Sequence, residues 1–97
     1  MLYDPKWEFK EEWQLGLLRA ADLIETEGHC VGALHLAGLG YCIYGALIEA
    51  LKNSPQEVER KAVHAIERVI GVPFVAMWND THMKAEVVAA LRLAAIK

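Results

Sequence analysis

The chain is poor in hydroxyl nucleophiles. Ser54 is its only serine, and Thr26 and Thr81 are its only threonines, so hydroxyl-based acyl transfer has almost no candidates. Cysteine is scarce as well. Two residues in 97, Cys30 and Cys42, exclude the disulfide scaffold of small secreted domains. Seven glycines and three prolines in no period exclude collagen-like and linker character. The opening Met1-Leu2-Tyr3-Asp4-Pro5-Lys6-Trp7 lacks a charged stretch followed by an apolar one, so no secretory leader is expected. No phosphate-binding loop is expected either. Gly38-Leu39-Gly40 has neither a third glycine at dinucleotide spacing nor a following lysine.

Concentrated positive charge is also missing. Ten Lys and Arg stand against thirteen Asp and Glu, a net charge of −3. The local cluster Arg60, Lys61 and Arg68 is diluted by Glu57, Glu59 and Glu67. Binding a phosphate backbone needs several cations converging on one surface, so nucleic acid is not an expected partner.

What the chain does have is apolar mass. A hydrophobic share of 55% in 97 residues excludes disorder as the default and fits one domain, residues 1–97. From Gly28 to Ile48 no residue carries a formal charge. About 20 apolar residues suffice to cross a bilayer. Here, however, His29, His35 and five glycines interrupt the run, and Glu25, Glu27 and Glu49 flank it without Lys/Arg asymmetry. The stretch therefore reads as buried protein core. No membrane partner is expected, and the expected address is the cytoplasm.

Phe9, Trp13, Leu17, Ala20, Ala21 and Ile24 fall on one stripe of an α-helix, predicted over about 7–27 with Asp4-Pro5 as its start and Gly28 as its end. Residues 28–41 have neither helical nor strand period. They predict an irregular apolar connection, with room for a short extended pair or one helical turn around Val31–Leu34. A helix over 42–52, apolar on nearly every side, is expected at the centre. Ser54-Pro55-Gln56-Glu57 reads as a capping box opening a helix over 55–70, with Val58, Ala62, Ala65, Ile66 and Val69 inward and Gly71 at its end. Phe74–Trp78 reads as a short apolar turn. Asn79, Asp80 and Thr81 are helix-capping types before a last helix over 82–96, whose core stripe is Met83, Val87, Leu91 and Ala94. The expected fold is an all-α bundle of about four helices.

Few groups suggest chemistry. Cys30 and Cys42 are the nucleophile candidates, each able to pair with His29 or His35. The plainer reading makes both thiols small buried hydrophobes. His29, Cys30, His35 and Cys42 could close a tetrahedral zinc site, although the spacing lacks the close pairs of a zinc finger. A Cys30–Cys42 disulfide is easy in a tight hairpin and disfavoured in the cytosol. His64 reads as a surface residue. His82 beside Asp80 offers an acid–base pair, with Asp80 as a helix cap the more economical reading. No catalytic residue and no cofactor is assigned. Tyr3, Trp7, Val88, Leu93 and Ile96 are surplus to a four-helix core and are the candidates for binding a protein partner or a second copy, a homodimer being expected.

Three segments taken together, Gly28-His29-Cys30-Val31-Gly32-Ala33-Leu34, Tyr41-Cys42-Ile43-Tyr44-Gly45-Ala46-Leu47 and Trp78-Asn79-Asp80, resemble an uncharacterised family of small bacterial and phage proteins. That family shows G-W-C-x-G-A-L, W-C-x-x-G-A-L and W-N-D segments. The likeness spans about Leu17 to Ala95. This chain has His29 where an aromatic is typical, and a shorter connection between its cysteines. The resemblance implies a small helical domain, often carried by mobile elements, and supplies no activity. The functional expectation is a non-enzymatic interaction or regulatory module of phage or prophage origin. Its rival is a metal- or thiol-dependent protein centred on the His/Cys loop.

Overall fold

The computed structural model describes residues 11–96. Within them the chain forms α1 (Glu12–Glu27), β1 (His35–Leu36), β2 (Gly40–Tyr41), α2 (Ile43–Ala50), α3 (Gln56–Ile70), α4 (Val75–Asp80) and α5 (Lys84–Ile96). The fold is mostly all-α, as the periodicity predicts. α1 and α5 run antiparallel: Gln14 Nε2 donates to the Ala95 carbonyl at 2.8 Å, and Arg92 reaches back to Asp22 and Glu25. α2 packs on α1, and α3 closes over α5 and α1. Leu17, Ile24, Ile43, Leu47, Ile66 and Leu91 meet in the middle, fully buried. Each such side chain contributes about 1.5–3 kcal/mol relative to an exposed one.

The boundaries follow local bonding. α1 begins at Glu12 rather than near Trp7, because Glu11 is extended (φ −73°, ψ 163°) and its N–H donates to Gln14 Oε1 at 2.7 Å. The Asp4-Pro5 start and Phe9 lie outside the described residues. Gly71, in the left-handed region at φ 79°, closes α3. The predicted Ser54 capping box does not form. Pro55 occupies the cap position with extended backbone, and the Ser54 N–H turns back to the Leu51 carbonyl at 2.9 Å, closing the previous turn.

Two expectations for the second half change. The segment read as a turn at Phe74–Trp78 is helical, and α4 runs on through Asn79 and Asp80, which therefore end a helix instead of capping the next. Met83 is not in the core. It precedes the first residue of α5, its N–H is capped by Glu86 Oε1 at 3.0 Å, and its side chain is 75% exposed.

The largest correction concerns the uncharged middle. Of residues 28–41 only Cys30 and Gly40 are buried, so most of the segment is not interior filling. Val31, Leu34, Leu36 and Leu39 are all exposed, on a hairpin in which His35 pairs with Tyr41 and Leu36 with Gly40. The hairpin stands off the bundle because close backbone contacts hold only its root. The Tyr41 N–H donates to the Gly28 carbonyl and the Cys30 N–H to the Tyr41 carbonyl, both at 3.0 Å. A Cβ on Gly40 (φ 114°) would lie 2.0 Å from the Gly28 carbonyl oxygen, so these strands meet only because Gly40 has no side chain. α2 is likewise open on one side, with Ile48 exposed. Among the described residues no helix is long and apolar enough to cross a membrane.

Candidate functional site

Among the described residues one polar side chain is buried, and it belongs to an asparagine. Asn79, at the end of α4, is fully buried. Its Oδ1 accepts from the Ile43 N–H at 3.1 Å, at the start of α2. Its Nδ2 donates to the Cys30 carbonyl at 3.1 Å and to Asp80 Oδ1 at 3.0 Å. A backbone N–H can only donate and a carbonyl can only accept, so these two partners fix which end of the amide is which. His29 Nε2 lies 2.9 Å from Asn79 Oδ1, and must therefore be the protonated nitrogen of its ring. Asp80 extends the clamp by accepting from the Gly32 N–H at 3.2 Å. One side chain and its neighbour thus tie the hairpin root, α2 and α4 together.

The two cysteines sit beside this clamp. Both are free and buried. Cys42 caps α2, its sulfur accepting from the Gly45 N–H at 3.4 Å. The Cys30 thiol donates to the Ala33 carbonyl at 3.3 Å. Burial first, and the adjacent Cys42 second, push the Cys30 thiol up from its ordinary value. That is the reverse of what an activated nucleophile needs. Burial also raises the Tyr44 phenol, with the Glu67 carboxylate adding to the effect.

The four residues that could have closed a zinc site do not converge. His29 is turned to Asn79, and the His35 ring stacks on Tyr41 with centroids 4.3 Å apart. Among the described residues no three groups of metal-ligating type gather. Neither histidine pairs with a thiol. The proposed His82–Asp80 pair is also absent: His82 stacks on Trp78 at 3.9 Å and its Nδ1 donates to the Trp78 carbonyl at 2.7 Å. His64 is exposed, as expected for a surface residue.

Concave features among the described residues include two that hold residues singled out in the sequence. A small cleft of about 350 Å³ opens between the hairpin root and α4, with Cys42, Tyr44, Leu34 and Asp80 on its walls. A wider groove of about 800 Å³ runs between α1 and α5. Val88 is 6% exposed and forms its floor, while Leu93 and Ile96, 41% and 65% exposed, stand on its walls beside Leu18. Glu25, Lys84 and Arg92 line its rim. Of the residues read as partner-binding, Val88, Leu93 and Ile96 therefore share one groove, and Tyr3 and Trp7 lie outside the described residues.

Sequence reasoning missed Asn79 and Asp80 as a clamp, because residues of that type before a helix look like ordinary caps. The signal present was their place in the Trp78-Asn79-Asp80 segment, matched with the glycine-containing segments that they bind. It also missed Phe74 and Met77, 64% and 66% exposed, which a six-residue helix leaves facing outward.

These features define a small helical domain whose buried polar side chain is spent on holding backbone together. The chain belongs to the family of unknown function DUF6197, whose model matches residues 15–97. No curated protein and no solved structure matches it.

Proposed function

We propose that the protein is a non-enzymatic interaction module of regulatory type, working in the cytoplasm, that docks a second copy of itself through the groove between α1 and α5. The observation that carries this reading is the pairing of a concave apolar floor at Val88 with the convex, exposed Leu93 and Ile96 at its edge. A surface holding both a groove and side chains able to fill one is self-complementary, which is what a two-fold interface requires. The groove follows α5, whose 13 residues extend about 20 Å, a length suited to helix-on-helix packing. Stable interfaces bury about 800 Å² on each partner, so the remainder of the α1–α5 face must join the contact. Free, buried thiols fit a reducing compartment.

Sedimentation at tens of micromolar tests the proposal. Wild type is expected to run as a dimer, and Leu93→Asp and Ile96→Asp as monomers with little change in Tm, since both side chains are exposed. A wild-type protein that sediments only as the 10.8 kDa chain removes the reading.

A further inference from the structure

We infer that Cys30 and Cys42 form a reversible dithiol–disulfide couple, oxidised by a low-molecular-weight disulfide, that locks the root of the exposed hairpin to the start of α2. Two observations bring the sulfurs together. The parallel bridge pairs His29 with Tyr41, so the residues that follow each, Cys30 and Cys42, lie side by side and leave the bridge on the same face. Parallel neighbours run about 4.8 Å apart, inside the span of Cα separations that a disulfide bridges. Finally, both residues bind one short stretch: Cys30 Sγ donates to the Ala33 carbonyl, and the Cys42 N–H donates to the Leu34 carbonyl at 3.1 Å.

Access is one-sided. Both thiols are nearly buried, at 4% and 6% exposure, but Cys42 lines the small cleft beside Tyr44 and Asp80. Cys42 is therefore the entry thiol. As a thiolate it attacks one sulfur of the small disulfide, whose S–S bond breaks and whose other half leaves as a thiolate and takes up a proton. Cys30, giving its proton to water, then attacks the Cys42 sulfur and expels the second half. The chain loses two electrons and two protons, and the small disulfide becomes two thiols. The Cys42 sulfur leaves the Gly45 N–H, so α2 exchanges a weak cap for a covalent tie.

The folded protein, treated with oxidised glutathione, alkylated in denaturant and mapped by mass spectrometry, tests this. The expected product is a Cys30–Cys42 linked peptide, with intact mass lower by about 2 Da, reversal by dithiothreitol and a Tm raised by roughly 5 °C or more. Cys30→Ser is expected to trap the glutathione adduct on Cys42, and Cys42→Ser to slow adduct formation at Cys30. Persistent glutathione adducts on the wild type, links between chains, or thiols left unchanged overturn the inference. If either variant does not fold, the wild-type link map decides alone.

Discussion

At the scale of single residues, Asn79 carries more of the fold than its size suggests. It offers one acceptor and two donor hydrogens, and the partners are the N–H that opens α2, the His29 ring, the Cys30 carbonyl and Asp80. No buried side-chain nitrogen or oxygen among the described residues is left without a partner. Asn79→Ala would strand the Ile43 N–H and the Cys30 carbonyl at once. The expected cost is about 3 kcal/mol in urea unfolding, against about 1 kcal/mol for Asp80→Ala, which loses an exposed acceptor. Equal costs for the two variants would show that Asn79 is not the organising group.

Elements divide by how their sequences advertise them. α1 and α3 were legible because their apolar residues recur at helical spacing over four turns or so, and only one face is buried. α5 was legible as a helix, and Val87, Leu91 and Ala94 of its predicted inward stripe are fully buried. Nearly every side of it is apolar, however, so periodicity alone put the exposed Met83 on that face and the buried Val88 off it. α4 was illegible. Its six residues are too few to show a period, and Asn79 looks like a cap until the backbone groups around it are known. The hairpin was read as core for a related reason. Lack of charge signals burial only when the backbone can be buried, and here the glycines hold one strand against another instead. Gly45 makes the same point for α2. A Cβ there would stand 1.8 Å from the Leu34 carbonyl oxygen, a rigid backbone atom. Gly45→Ala is expected to cost about 2 kcal/mol or more and to weaken amide-exchange protection in residues 28–42 before it affects α3. Uniform loss of protection across both regions would count against a local clash.

Taken as a whole, the molecule should respond to alkaline conditions through its buried titratable groups. Cys30 keeps its proton longer when folded than when unfolded. Above the ordinary thiol value of 9.0 the unfolded chain releases a proton that the folded chain retains, so stability present below that pH declines as pH rises. Tyr44 adds to the decline above its ordinary 10.0. Urea midpoints measured from pH 7 to 10.5 are expected to fall, and Cys30→Ala should flatten the first part of the fall. An unchanged slope in that variant would assign the decline elsewhere. The exposure of Leu93 and Ile96 was legible, since both stood out as apolar residues beyond the needs of a core, whereas Val88, read with them, is buried in it. The clamp was not legible, because it joins residues far apart in sequence through backbone groups that leave no mark in composition.

The hairpin tip offers a practical opening. Gly38 adopts φ 80° at the outer end of the strand pair, and a side-chain carbon placed there would touch nothing within 4 Å. Everything that fastens this arm lies at its base, so extra chain spliced in after Gly38 should hang in solvent as a pennant does from its pole. A short peptide carrying an epitope or a fluorophore ought to leave the melting temperature within a few degrees of the parent and give a handle for watching the thiol pair and the pairing of copies in the same sample.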